Sequence, residues 1–273
     1  MKQNRLYSLL MVAPASAMVG GFFLYPLLVS LQSAITDSTG QWSLVHIYNA
    51  WQLYDRDFAY SLVVVAVSTV LIALLTLAIS GVLTLSPFRR LNQGLAFLYR
   101  WPLFIPFIVA AQMMRTFLAK NGLMNNTLVS LHLLTPFETV SFLDWRGIIV
   151  TFVWKQLAFS TLLVAGAMAA VDSQQIKAAQ NLAASRWQIF WTILLPQVLP
   201  NLGVALVLCC VTMMSVLSVP LMIGTGTPNM LTTDMAFRIN SYGDYGTANA
   251  LGVLSYLVTA AVAWFYLHHS MKQ

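Results

Sequence analysis

The chain has 273 residues, of which 59% are hydrophobic and only 8% charged, and its formal net charge is +6. A soluble domain carries about 25% charged residues, so this composition excludes a water-soluble globular protein and specifies an integral membrane protein. The basic excess is not clustered into the surface that nucleic acid needs; it reads as basic residues gathered on one side of a membrane.

A first apolar run begins after Lys2 and Arg5. The small-residue stretch Ala15-Ser16-Ala17 gives it the look of a signal peptide, but the run continues to Ser30. That is long enough to cross about 30 Å of hydrocarbon, so an uncleaved membrane helix is expected over 6–31. A polar loop over 32–57 carries Asp37, Asp55, Arg56 and Asp57. The second span is predicted over 58–85, ended by Pro87 and the pair Arg89-Arg90. Arg100-Trp101-Pro102 opens a third span over 101–118, and a loop containing Asn121 to Leu134 follows. The fourth span is predicted over 147–170. A polar, Ala-rich island fills 172–198, and a fifth span covers 199–217. A segment over 218–246 is rich in Gly, Thr and Asn. The sixth span, 247–267, ends in His268, His269 and Lys272. The expected architecture is all-α, a single transmembrane domain over 1–273.

Charge fixes the expected orientation. Lys2 and Arg5 precede the first span, and Arg89, Arg90 and Arg100 lie between the second and third. Lys177 and Arg186 outnumber Asp172 between the fourth and fifth, and Lys272 follows the sixth. Every second connection is thus net positive, while the alternate loops are neutral or negative. Basic residues belong on the cytoplasmic side, so both termini and the 172–198 island are expected in the cytoplasm.

The island is too long for a plain hairpin between helices, which needs only a few residues. Asp172 with Gln175, and Ser185 with Gln188, each have the form of a capping box, in which a short side chain accepts from an orphan N–H and the Gln reaches back. The first predicts a short helix through Ile176 to Leu182. After the second, Trp187, Phe190, Trp191, Leu194 and Leu195 form one apolar stripe, which predicts an amphipathic helix at the membrane surface. A turn is expected at Ala183-Ala184-Ser185, and Pro196 and Pro200 lead into the fifth span.

This island resembles the cytoplasmic loop of the membrane subunits, or permeases, of binding-protein-dependent ABC importers. That loop reads Glu-Ala-Ala, three residues, Gly, then about nine residues to Ile-x-Leu-Pro. Here Lys177-Ala178-Ala179 stands in the first place, Ala183 in the Gly place, and Ile193-Leu194-Leu195-Pro196 closes it. The resemblance implies a coupling helix seated in a groove of an ATPase subunit, with Gln175, Lys177, Ala178, Ala179, Ala183, Ala184 and Ser185 at the contact. Lys177 reverses the usual charge there. If the family Gly needs a left-handed backbone, Ala183 would cost about 1–2 kcal/mol, which predicts a turn built differently, one or two residues later. Phe23-Leu24-Tyr25-Pro26, Gly122-Leu123-Met124-Asn125, Gly224 to Pro228 and Tyr245 to Leu251 are similar to further segments of the family, the last two to its sugar-importer branch. The resemblance thus implies a type I ABC importer permease fold of six helices in a bacterial inner membrane. It also implies two ATPase subunits, a second permease subunit, identical or related, and an extracytoplasmic solute-binding protein as partners. The solute expected is a carbohydrate; a polyamine, a phosphonate or ferric ion is the alternative, and an ATP-independent carrier or a membrane enzyme the reading from another class.

The chain contains no phosphate-cradling G-x-x-x-x-G-K-[ST] and no H-E-x-x-H. Its four histidines fall in predicted loops or ends, and no nucleophile–base pair is visible in the spans. Acidic residues, which a proton-coupled carrier often keeps at membrane depth, are missing from the spans. No enzyme activity, cofactor or metal is expected. Cys209 and Cys210 are adjacent in an apolar run and read as core hydrophobes, as the scattered methionines read as gap-fillers. Polar residues within spans mark candidates for a translocation path. They are Gln112, Lys155 within Trp154-Lys155-Gln156, and Thr212 with Ser215 on one face of the fifth span. Arg115 lies near the outer end of the third span and is expected to snorkel to the interface.

Overall fold

A computed structural model describes residues 2–37 and 39–270, with side chains from Met11 to His268. Lys272 lies outside the described residues, and the side chains of Lys2, Arg5 and His269 lie outside the described ones. The described backbone is helical, without a strand; one isolated bridge joins Thr36 and Trp42. In chain order the helices are α1 (Lys2–Val19), α2 (Tyr25–Ala34), α3 (Val45–Leu85), α4 (Arg89–Arg100), α5 (Phe107–Leu118), α6 (Leu123–Ser130), α7 (Trp145–Ala169), α8 (Ser173–Asn181), α9 (Arg186–Ile189), α10 (Leu195–Ser215), α11 (Ser218–Ile223), α12 (Leu231–Phe237) and α13 (Tyr245–Ser270). Widened π turns at Gly20–Leu24 and Phe190–Leu194 splice α1 to α2 and α9 to α10 without a break. Among the described residues, five helical runs are long and apolar enough to cross a membrane, and a bent pair makes a sixth.

The helices differ from the expected spans in three places. First, α3 begins at Val45, well inside the expected 32–57 loop, and its backbone leaves helical geometry at Tyr54. Second, the third span is not straight. Arg89–Phe104 and Phe107–Ser130 meet at 111°. Pro106 pushes Ile105 into extended geometry (φ −91°, ψ 122°), as the residue before a proline must go. Third, Pro196 and Pro200 do not separate an interfacial helix from the fifth span: Arg186–Ser215 is one run. The π turn over Phe190–Leu194 loosens the hydrogen-bond ladder just before Pro196, where a missing N–H costs least.

Two compact units are distinguishable. The first comprises 1–55 and 234–257. In it the Ser30 hydroxyl donates to Asn249 Oδ1 at 2.8 Å. Arg238 lies 5.2 Å from the ring centroids of both Tyr54 and Tyr242, and its Nε donates to the Tyr54 oxygen at 2.6 Å. Its other arm reaches Asp244 at 3.4 Å. Burial raises the Asp244 carboxyl, but bonds from Thr247 and the Arg238 charge outweigh it and hold the group below the usual carboxylate range.

The second unit, 56–233 and 258–273, contains the core that positions the loop. Val164 and Met168 of α7 pack with Phe190, Leu194, Val198 and Leu202 of the α9–α10 run, and Leu77, Leu85, Val171 and Ile176 close the cluster. Close approach is built in: a Cβ on Gly81 would sit 2.9 Å from the Phe190 ring, and one on Gly203 would overlap the Tyr266 ring. One buried polar pair crosses between helices, Thr76 Oγ1 donating to Ser160 Oγ at 2.9 Å. Asp144 caps α7, accepting from the Arg146 amide at 2.9 Å and from its guanidinium at 2.7 Å. That guanidinium bond is the main reason the Asp144 carboxyl lies below its usual range. Asn125 ties the turn before α6 to a distant segment of chain, its Nδ2 donating to Ala119, Lys120 and Val140 carbonyls at 3.1, 3.0 and 2.9 Å. Gly122 is needed there because a Cβ would meet the Thr116 carbonyl at 2.5 Å.

Candidate functional site

The loop predicted to meet a partner is α8, its following turn, and α9. Asp172 starts α8, accepting from the Gln174 amide at 2.9 Å. The reciprocal half of the expected box does not form: Gln175 Oε1 instead accepts from Gln197 Nε2 at 2.9 Å. A bond to a neighbouring helix has displaced the local one. The second box forms as expected, Ser185 Oγ accepting from the Gln188 amide at 3.2 Å and Gln188 Oε1 from the Ser185 amide at 2.8 Å.

Between the caps the turn is the one a glycine would make. Ala183 has φ +59°. The Ala184 amide donates to the Ala179 carbonyl at 3.0 Å, and the Ala183 amide to the Gln180 carbonyl at 2.9 Å. That pair of bonds is a Schellman motif with Ala at its left-handed position. The expectation that the turn moves one or two residues on is therefore corrected. The two bonds satisfy carbonyls the helix end would otherwise orphan, and keeping them outweighs the Cβ penalty.

No residue of α8 is buried. Gln175, Lys177 and Ala178 are exposed, Ala179 and Ala184 half-buried, and Ala183 and Ser185 exposed. All seven predicted contact residues thus lie together on one short element and its turn. One residue of the turn escaped the sequence reading. Leu182, the C-cap of α8, is 85% exposed. The available signal was a large apolar side chain at the tip of an otherwise polar, Ala-rich island. The loop is not a free appendage: Ile176 packs on the core cluster of α7 and α10, and the Gln175–Gln197 bond ties α8 to α10.

The path candidates are more dispersed. Lys155 is 7% exposed. Its Nζ donates to the Pro102 carbonyl at 2.7 Å and the Leu103 carbonyl at 3.4 Å, and lies 5.1 Å from the Phe107 ring centroid. It therefore holds the break in the bent third span, as a second donor to the Pro102 carbonyl beside the Ile105 amide, which donates to it at 3.2 Å. A cation there also meets the negative end of a helix dipole. Gln156 Nε2 donates to the Cys209 carbonyl at 3.4 Å, joining α7 to α10. Gln112 and Ser215 are exposed and Thr212 half-buried. Thr212 and Ser215 spend their hydroxyls on the Leu208 and Thr212 carbonyls of their own helix, at 2.7 and 3.0 Å.

The sequence profile of the family described as "Binding-protein-dependent transport system inner membrane component" matches residues 76–271. Among curated proteins, the chain is 24% identical to the sulfoquinovosyl glycerol transport system permease protein SmoG of Agrobacterium fabrum, covering 97% of this chain and 90% of that protein. It is 28% identical to the trehalose/maltose transport system permease protein MalF of Thermococcus litoralis, covering 79% and 75%. Among solved structures, one chain of a bacterial alginate ABC transporter in complex with an alginate pentasaccharide-bound periplasmic protein superposes with a TM-score of 0.84 at 20% identity, covering 98% of this chain and 96% of that one. A chain of the MetNI methionine ABC transporter gives 0.60 at 17% identity, covering 80% and 94%.

Proposed function

The chain belongs to the family of binding-protein-dependent transport system inner membrane components, and on that premise we propose that it is the permease subunit of an ATP-driven importer of a carbohydrate. Transport, not catalysis, is its role, and its place is the bacterial inner membrane. The carbohydrate class is supported by relatives named for sulfoquinovosyl glycerol and for trehalose and maltose. In this reading both termini and the α8 loop face the cytoplasm, as the basic residues of the 86–100 and 172–198 segments favour. Two ATPase subunits dock on the α8 loops of this chain and of a second permease, identical or related. A binding protein delivers the solute from the other side.

The observation that carries the reading is the exposed α8 tied to two long helices. Gln175, Lys177, Ala178, Ala179, Ala183, Ala184 and Ser185 form the ATPase contact, and exposed Leu182 adds an apolar anchor. The small side chains let a groove close tightly around the helix backbone. Closure of the ATPase pair moves α8, and Ile176 with the Gln175–Gln197 bond passes that movement to α7 and α10. The solute pathway then opens on the far side, because the two states differ in the contacts ATP supports. Gln112 offers an amide along the path, Thr212 and Ser215 offer hydroxyl oxygens as acceptors, their protons being held by carbonyls of their own helix, and Lys155 holds the bent span at its edge.

The test is purification of the transporter through a tag on this chain, with identification of what accompanies it. An ABC ATPase should copurify, and its turnover should rise when the accompanying binding protein is added with its sugar. Ala179→Trp should abolish that stimulation or the assembly itself. A chain that purifies without an ATPase from gentle detergent refutes the docking claim. A binding protein that captures a polyamine, a phosphonate or ferric ion refutes the carbohydrate claim alone.

A further inference from the structure

Beside the coupling loop lies an open apolar groove of about 480 Å³. One wall is the last three turns of α3, where Leu74, Ala78, Val82 and Leu85 recur on one helix face; the other is Trp187 and Trp191. Phe190 forms the floor, and it reaches there because Gly81 leaves its ring room. The two tryptophans meet edge to face, with centroids 5.3 Å apart, yet they are 69% and 47% exposed. The apolar wall from Leu74 to Leu85 is about 17 Å long at 1.5 Å per residue, close to half of the roughly 30 Å hydrocarbon thickness. It therefore has the depth of one leaflet.

The polar lining is confined to helix ends. Ser86 stands just past the end of α3, and Arg186 is the first residue of α9. Arg186 is the single charged lining residue, it is exposed, and no carboxylate pairs with it among the described residues. Arg89 and Arg90 follow Ser86 by three and four residues, both exposed. An apolar slot of leaflet depth, rimmed by tryptophan and ending in uncompensated arginine, has the complement of a lipid with a negative headgroup.

We propose that this groove binds an anionic phospholipid of the inner leaflet, with an acyl chain along α3 between the tryptophans and the headgroup phosphate on Arg186. The inference rests on the inward orientation of the α8 loop. A lipid held there would touch the Trp187–Phe190–Trp191 cluster immediately after the coupling helix, so leaflet composition would bear on coupling.

The test uses the assembled transporter, purified through this chain and exchanged into nanodiscs of equal phosphatidylglycerol and phosphatidylcholine. Lipids that stay bound after extraction are counted by native mass spectrometry. Phosphatidylglycerol should be retained over phosphatidylcholine by about fivefold for one arginine contact. Arg186→Gln should abolish the preference and Arg186→Lys should keep most of it. Ala78→Trp, at an exposed position of the groove wall, should reduce retention of both lipids. Equal retention of the two lipids by the unaltered chain, or an unchanged preference in Arg186→Gln, overturns the proposal. So does a photo-crosslinker at residue 78 that captures the second permease instead of lipid. Orientation is checked separately: labelling of Ser185→Cys by an impermeant thiol reagent applied outside spheroplasts overturns the premise, whatever the lipid result.

Discussion

Replacing Ala183 by glycine should stabilise the coupling turn. Ala183 is held at φ +59° by the two amide bonds of the Schellman motif. A left-handed backbone costs an L-residue about 1–2 kcal/mol, and glycine is free of that cost. Glycine in turn loses more chain entropy on ordering, about 0.4–1 kcal/mol. The difference leaves Ala183→Gly more stable by roughly 0.5–1 kcal/mol, a factor of about 2–5 in the local opening equilibrium. The readout is hydrogen–deuterium exchange of the Ala183 and Ala184 amides, which donate the two bonds and exchange only when the turn opens. Their exchange in the assembled transporter should slow by that factor, while amides in α7 are unchanged. Ala183→Val should act the other way and speed exchange, since a β-branched residue tolerates this region least. Faster exchange in the glycine variant, or unchanged exchange in the valine variant, would refute the account of the turn.

Three further outcomes follow from contacts elsewhere in the second unit. Lys155→Met removes a charge-assisted bond to the Pro102 carbonyl, worth about 1.5–3 kcal/mol; the melting temperature in detergent should fall by several degrees, and an unchanged value would show that the bent span does not depend on this cation. Gly81→Val pushes a side chain into the Phe190 ring at a cost of about 1–3 kcal/mol, and adding Phe190→Leu should recover part of the loss, so strict additivity of the two changes would count against the contact. Asp144→Asn keeps a good N-cap while removing the charge paired with Arg146. Because the Arg146 bond lowers the folded carboxyl, the contribution of the charge is present above the unfolded value of about 3.9 and lost as pH falls through the folded one. The difference in melting temperature between the two proteins should hold steady from about pH 8 to pH 5 and close below about pH 4; closure near neutral pH would contradict the sign.

The apolar runs were legible because membrane depth demands them and nothing else produces them. Places where the chain departs from a straight span were not, and proline is the reason in both directions. Pro106 bends the third span, and Lys155, which lies far away in sequence, donates to the Pro102 carbonyl there beside the Ile105 amide. Pro200 sits inside α10 without breaking it, with the Tyr266 hydroxyl donating to its carbonyl. Proline alone does not say which will happen. The early start of α3 was hidden by Asp55, Arg56 and Asp57, which read as loop. Asp57 has a structural use instead, accepting from the Asn229 amide. The coupling loop was legible in composition and caps, yet half of the Asp172–Gln175 box is missing because Gln197, far along the chain, competes for the glutamine.

The coupling turn was illegible for a different reason. Penalising Ala183 alone moves the turn, whereas the whole helix end keeps it in place. The end must satisfy its last carbonyls, and the Ser185 box fixes where the next helix begins. With the two caps only a few residues apart, a left-handed residue at position 183 is the shortest connection that meets both demands. The result is an element that carries backbone strain, exposes Leu182 and buries none of its own residues. Each feature costs stability in the isolated chain, and together they cluster on the residues proposed to meet an ATPase. Strain and exposed apolar surface in one place mark a surface that is completed by something else. Ile176 and Gln175 are the exceptions on α8, turned toward α7 and α10. In the proposed function, an ATPase grips the exposed side of this helix while Ile176 and Gln175 pass the movement to α7 and α10.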